Sequence, residues 1–573
     1  MKRFLLIAGI CGSCLSGTAQ KKMPKWVEKA KKAVIALEIQ DKNGITRQGN
    51  GFFIHENGEA ISDYTLFAGA EKAFATDTEG RRLPVTRILG ADEFYDVIRF
   101  QVEVPKPVTA LAPATSLPAQ GTEACLLPCG TEKGAPAPTG TIEEISKLKE
   151  QYGYFRTNIP WTASQLSLPL LTATGEVFAL AQADASGKNQ TYGISVPYVL
   201  SLHMGAMDVL NKTYASIGIR KAWASTPEDA QVALMFYASQ QDAPAYLETL
   251  SDFIDAFPHS SAGYLSRAAH CATRRKELAD TDAAQQQMLA RALADIETAA
   301  KYMEGKGVLC YERAKLIYNT VATDSSLHEL ADWNMDAAWT NIRQAIAEDD
   351  QPAYRQLEGD IAFYRGDYEQ ACASYRIVTQ SPLASAIAFY LAAKSKQQIP
   401  DANLSEVVEL LDSAAARSAA VSIDAVTYLE ENAELKMQLG RYDDAVKDYD
   451  RCYLLSQGNV SDVFYYYREQ AKFRAGDLDG AQKDISSAII MSPQNAVYYA
   501  EEAAIYLRRQ LPDQAQASVQ RALSLDPDFA SGHRLLGISY LRQGKKDEAC
   551  NAFRKAKELG DPVVDKLMKE NCR

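Results

Sequence analysis

The reading of this chain turns on the stretch Thr157-Asn158-Ile159-Pro160-Trp161-Thr162-Ala163-Ser164-Gln165-Leu166-Ser167-Leu168-Pro169-Leu170-Leu171, which continues after a short turn as Gly175-Glu176-Val177-Phe178-Ala179-Leu180. Ser164 and Ser167 are hydroxyls set among apolar residues, and the stretch contains no histidine. Upstream lie Gly51-Phe52-Phe53-Ile54 with Gly58-Glu59-Ala60-Ile61-Ser62-Asp63-Tyr64-Thr65-Leu66-Phe67-Ala68-Gly69-Ala70, then Gly90-Ala91-Asp92-Glu93-Phe94-Tyr95-Asp96-Val97-Ile98-Arg99-Phe100. Between these and the first stretch stand Ala124-Cys125-Leu126-Leu127-Pro128-Cys129-Gly130 and Thr139-Gly140-Thr141-Ile142. His55, beside the Glu56-Asn57-Gly58 turn, reads as a solvated loop residue.

Taken in order, these segments resemble the bacterial HtrA (DegP-like) branch of the trypsin-like serine proteases. The family's nucleophile segment runs D-x-x-I-N-P-G-N-S-G-G-P-L-L-N, its histidine segment ends T-N-N-H-V-V, and its aspartate segment is G-x-D-x-x-x-D-L-A-V-L. Aligning Pro169-Leu170-Leu171 with P-L-L puts Leu166 on the serine, Thr65 on the histidine and Asp96 on the aspartate. A triad needs a nucleophile and a base that the aspartate orients; by this resemblance only the aspartate remains. The oxyanion-hole glycines are replaced by Ser164, Ser167 and Leu168, whose side chains restrict φ where backbone N–H groups must face a substrate. The resemblance spans residues 31–199 and implies two six-stranded barrels without catalytic residues. Ser164 and Ser167 are the fallback nucleophiles if the domain works by another arrangement.

The second half is organised by repetition, and a period must be found before single residues are interpreted. Ala481, Ala515 and Ala549 recur every 34 residues, as do Ala488, Ala522 and Ala556. Gly476 and Gly544 mark the turn between paired helices with Gln510 in their column, and Pro493 and Pro527 close the second helix. The units 462–495, 496–529 and 530–563 resemble tetratricopeptide (TPR) repeats. Looser units are carried by Gly359, Gly366, Ala371, Tyr375 and Pro382, and by Gly440, Ala445, Tyr449 and Cys452; helical periodicity extends back to Thr226. Helix pairs of this kind bury their apolar faces by stacking on neighbours, and the family uses the resulting groove to hold proteins or peptides. Arg474, Arg508 and Arg542 recur in a column that the resemblance turns toward that groove, where guanidiniums grip carboxylates; the plainer reading is cations at helix C-termini. Tyr466 is a further groove candidate among Tyr465-Tyr466-Tyr467 and Tyr498-Tyr499.

Composition sets the remaining bounds. A chain of 573 residues exceeds a single core. The formal net charge of −12 and the lack of a basic block interleaved with aromatics argue against nucleic-acid binding. Lys2-Arg3, the apolar run Phe4 to Ile10 and Gly17-Thr18-Ala19 read as an export signal cleaved after Ala19. Cys11 and Cys14 leave a lipoprotein signal open, and no later stretch is apolar for long enough to span a membrane. Among the remaining cysteines, Cys125 and Cys129 share a strand face at about 13 Å, beyond disulfide reach. Cys271, Cys310, Cys372, Cys452, Cys550 and Cys572 read by default as buried thiols, although an exported chain permits bridges. No phosphate loop, HExxH or acidic Ca²⁺ loop occurs, so no cofactor or metal is expected.

The expectation is a multidomain chain, an all-β trypsin-like double barrel followed by an all-α TPR superhelical solenoid. The boundaries are a signal peptide at 1–19, the barrels at 22–205, a linker at 206–225, degenerate helical repeats at 226–350 and TPR repeats at 351–573. The function that follows is an exported scaffold, periplasmic or envelope-associated, binding proteins or acidic peptides through the TPR groove. A divergent serine endopeptidase, and an envelope assembly factor or chaperone, are the alternatives.

Overall fold

A computed structural model describes residues 25–129, 137–183, 187, 189–418 and 423–572. The expected signal peptide, with Cys11 and Cys14, and Gly130 lie outside the described residues. The chain divides into two compact units, 1–289 and 290–573.

The first unit holds two closed antiparallel barrels. Strands β1 (Val34–Asp41), β2 (Thr46–Phe53), β3 (Glu59–Ser62), β4 (Ala70–Thr76), β5 (Arg82–Asp92) and β6 (Val97–Val102) close in the order β1-β2-β3-β6-β5-β4. Strands β7 (Glu123–Leu126), β8 (Thr139–Leu148), β9 (Tyr152–Thr157), β10 (Pro169–Thr172), β11 (Val177–Gln182) and β12 (Tyr192–Ser195) close as β10-β11-β12-β9-β8-β7. Closure pairs every edge strand, so neither sheet offers a free edge. β6 shows the alternation that a barrel wall requires, with Val97, Ile98, Phe100 and Val102 fully buried. Phe52, Ile61 and Val97 of the first barrel share one apolar core with Phe155, Leu170 and Phe178 of the second. The two barrels are therefore welded by the hydrophobic effect rather than tethered by a loop.

Residues 206–225 correct the expectation of a linker. Val209, Tyr214, Ile217 and Ile219 are buried in the core of the first barrel. The backbone of this segment also docks on β5, since Ile88 N–H donates to Arg220 O and Ala222 N–H to Ile88 O, both at 2.7 Å. Four large apolar side chains in a short stretch cannot remain in water when a barrel wall is within reach. Beyond it, Asp252 in the helix Ala243–Ala256 accepts from Arg87 at 2.5 and 3.0 Å and from Trp223 Nε1 at 2.9 Å, which ties that helix to β5.

The second unit consists of paired helices. Its last three pairs are Asp462–Ala475 with Leu478–Met491, Ala496–Arg508 with Pro512–Leu525, and Ala530–Arg542 with Lys546–Glu558. The alanines of both 34-residue columns are fully buried, which lets paired helices approach closely. A polar rung crosses each of several pairs at a constant offset of 16 residues: Ser374 Oγ to Glu358 at 2.8 Å, Arg468 to Asp484 at 2.6 and 2.8 Å, and Ser518 Oγ to Glu502 at 2.7 Å. Each rung satisfies polar groups that would otherwise be orphaned between helices.

The cysteines need one correction. Cys550 is not a thiol but is bridged to Cys572, with Cα atoms 5.6 Å apart, because the final helix Val564–Asn571 folds back on Lys546–Glu558. Closing this short loop contributes about 3 kcal/mol in the chain-entropy account. Cys125, Cys310, Cys372 and Cys452 are buried thiols, and burial pushes Cys125 up to about 11 and Cys452 up to about 12.

Gly476 and Gly544 end their helices at φ of +91° and +79°, and Gln510 fills the same column at +60°. A side chain in that left-handed conformation costs on the order of 1 kcal/mol, which glycine avoids. Gln510→Gly is expected to raise the stability of the C-terminal repeats by about 0.5 to 1 kcal/mol, read as a higher urea midpoint at unchanged slope.

Candidate functional site

The segments around Thr65 and Leu166 line a cleft of about 800 Å³ within the first unit. The first barrel contributes Arg47, Asn50 and Thr65, and the second contributes Cys129, Ser164 and Leu166. No histidine occurs among its described lining residues.

Asp96 still addresses the histidine column, but through the main chain. Its Oδ1 accepts from the backbone N–H of Thr65 at 2.7 Å, while the Thr65 side chain is exposed. Asp96 sits at φ +51° in a turn that Gln182 of the second barrel holds through a 2.8 Å bond to Tyr95 O. The carboxylate that orients an imidazole in a triad here holds the first turn of the helix Tyr64–Phe67.

The two fallback hydroxyls separate sharply. Ser164 is exposed and its Oγ lies 3.1 Å from Thr162 Oγ1, with no base attached. Ser167 is fully buried at φ +62°. Its hydroxyl donates to Asp63 Oδ2 at 2.7 Å and accepts from Asp63 N–H at 3.1 Å. Ser167 is thus engaged by Asp63 in both directions and latches the second barrel to the first. Leu166, half-buried, lines the cleft beside it.

Sequence reasoning missed Asp63 and Asn50. Asp63 caps the helix Tyr64–Phe67, accepting from Leu66 N–H at 2.8 Å with its other oxygen. An aspartate just ahead of a short apolar helix is the signal that was available. Burial raises its carboxyl above the ordinary range, with Asp96 adding in the same direction and the Ser167 hydrogen bond opposing. Asn50, on β2, donates its amide to Ser164 O and Leu166 O, both at 3.0 Å. Nothing local marks it; the contact closes over more than a hundred residues.

The turn itself is closed. Gln165 N–H donates to Thr162 O at 2.9 Å, Leu166 N–H to Ala163 O at 3.4 Å, Ser167 N–H to Ala181 O at 2.9 Å and Leu168 N–H to Gln165 O at 3.2 Å. These four N–H groups are all engaged by carbonyls of the chain itself.

In the second unit, Arg474, Arg508 and Arg542 are all exposed. Arg508 donates to Phe473 O at 2.7 Å and lies over the Phe473 ring at 4.8 Å, while Arg474 lies over the Tyr442 ring at 5.9 Å. Arg508 thus caps the C-terminus of the helix Asp462–Ala475. Tyr466 is half-buried, its ring 5.6 Å from that of Tyr498, in the cluster around Ala481 and Ile485. Packing claims most of that side chain; Tyr467, 46% exposed, is the freer ring.

Comparison with known proteins finds similarity in both parts of the chain. The barrel region is similar to the HtrA-type protease AlgW with a tripeptide, at 16% identity over 33% of this chain and 64% of that one with a TM-score of 0.27. The active form of the Rv3671c protease from M. tuberculosis matches at 16% identity over 31% of this chain and 81% of that one, also with a TM-score of 0.27. Both barrels close with six antiparallel strands, as expected from the sequence resemblance. The tetratricopeptide-repeat family matches residues 500–562. The C-terminal helices are TPR repeats. Small glutamine-rich tetratricopeptide repeat-containing protein 2 of Saccharomyces cerevisiae is 33% identical over 95 residues, 16% of this chain and 28% of that protein. The Hsp70-Hsp90 organizing protein of Triticum aestivum is 33% identical over 97 residues, 17% of this chain and 16% of that protein. The chain thus spans under a third of the curated TPR relatives named here.

The latch has a testable sign. Because the folded carboxyl of Asp63 titrates above its unfolded value, stability falls as pH rises from about 4 through the folded pKa. Ser167→Ala removes the hydrogen bond that opposes the rise, so it should cost about 1 to 3 kcal/mol at pH 7 and distinctly less near pH 4. Urea unfolding of the barrels at the two pH values checks both the size and the direction.

Proposed function

We propose that this chain is an exported protein-interaction scaffold whose TPR repeats bind partner proteins or peptides, with acidic segments favoured, and whose trypsin-like domain serves binding or structure instead of hydrolysis. The observation that carries the non-catalytic half is the commitment of Ser167 to Asp63 beside a leucine in the nucleophile column. Thr65, in the base column, has no group able to take a proton at neutral pH. The inward-facing amides of residues 165–168 support the same reading. Protein binding rests on the TPR repeats, and export rests on the leader-like first nineteen residues. The Cys550–Cys572 bridge fits an oxidising compartment such as the periplasm or envelope. An assembly factor or chaperone would differ from this scaffold in its partner and not in its chemistry.

Two measurements test the two halves. The mature protein should show no labelling by a fluorophosphonate probe; labelling abolished by Ser164→Ala would establish the divergent endopeptidase instead. Glutamine at Arg474, Arg508 and Arg542 together should leave the helical content unchanged. On an array of acidic peptides with free or amidated C-termini, it should weaken binding and flatten its salt dependence. Identical affinities and salt profiles would reduce the arginines to helix-end cations.

A further inference from the structure

The column holding Glu469, Ala503 and Gly537 recurs every 34 residues along the first helices of the last three pairs. Small residues suit it: Ala503 is fully buried, and a Cβ on Gly537 would collide with the Phe553 ring. Glu469 is the exception. Its side chain is 0% exposed, its Oε2 accepts from Gln470 Nε2 at 2.9 Å, and its Oε1 has no partner among the described residues. Gln482 Oε1, on the paired helix Leu478–Met491, is a second buried acceptor without a donor.

Among the described residues Glu469 meets no counter-ion. From Leu478–Met491 it meets Asp484, which already engages Arg468 at 2.6 Å and Lys472 at 2.9 Å. Asp450, from the preceding helix Tyr442–Leu455, takes what remains of Arg468 at 3.2 Å. From Ala496–Arg508 come Glu501, which repels it, and Glu502, which is held by Ser518 and Gln482. Arg474 and Arg534 attract Glu501, and Arg534 is itself paired with Asp561 at 2.9 Å. On its own helix Tyr466 feels the charge of both glutamates.

We propose that Glu469 carries a proton when the helix Asp462–Ala475 is packed against Leu478–Met491 and Ala496–Arg508, and that losing this proton, with the Glu501 charge nearby, loosens the packing, so that the face bearing Tyr466, Tyr467 and Arg474 responds to alkaline conditions. A proton on Glu469 removes a buried charge that no cation balances and turns one orphaned acceptor into a donor. Burial first, and Glu501 second, push the Glu469 carboxyl up to about 8. Its unfolded value lies near 4.5, so the folded state binds the extra proton between these limits. Stability of this packing is therefore full below the unfolded value and is lost as pH rises toward 8.

Hydrogen exchange of the full chain, corrected for intrinsic rates, tests the role of the proton. Amides of Asp462–Ala475 and Ala496–Arg508 should exchange at least tenfold faster at pH 8 than at pH 6, while the barrels do not follow. Glu469→Gln, which keeps the shape of the protonated acid, should abolish the difference, and Glu501→Gln should move the transition to lower pH. The wild type should also show a protonated-carboxyl infrared band at pH 7 that is gone by pH 9 and that is missing from Glu469→Gln, which separates it from other buried acids such as Asp63. An unchanged pH response in Glu469→Gln, or no such band, would overturn the proposal.

Discussion

A carboxylate stripped of water must be held by the chain itself, and the way Asp63 is held organises the whole double barrel. One oxygen caps the helix Tyr64–Phe67 while the other takes the Ser167 hydroxyl, so a single side chain joins a helix start in the first barrel to a turn in the second. Asn50 fastens the same turn from β2 by its carbonyls. The apolar core shared by Phe52, Ile61, Phe155 and Phe178 supplies the bulk of the cohesion, but it is non-directional. The hydrogen bonds are directional and fix how the two barrels are registered against each other.

The same economy of satisfied polar groups runs through the helical unit. Small residues in the alanine columns bring the helices of a pair together, and the rungs Glu358–Ser374, Arg468–Asp484 and Glu502–Ser518 give the close contacts their direction. Glu469 departs from this pattern. It places an ionisable group in a column built for alanine and glycine, leaving one oxygen without a donor. Arg508 shows the converse economy: an exposed cation serves the preceding repeat by capping a carbonyl and covering a phenylalanine ring.

The sequence alone determined both halves of the fold, because each rests on patterns local in the chain. The 34-residue spacing of Ala481, Ala515 and Ala549 forces paired, stacked helices, and Gly476 and Gly544 mark where they turn. The ordered glycine and apolar segments between residues 49 and 180 called for two barrels. Tertiary structure alone decided what the surviving polar residues do. Ser167 reads as a fallback nucleophile until Asp63, 104 residues away, is seen to accept its hydrogen bond. Residues 206–225 read as a tether until their apolar side chains find the first barrel, and Cys550 reads as a packed thiol until the last helix brings Cys572 beside it. Periodicity is written in near neighbours, whereas a hydrogen bond, a bridge or a buried charge depends on which distant residue the fold delivers and on whether water is left to compete.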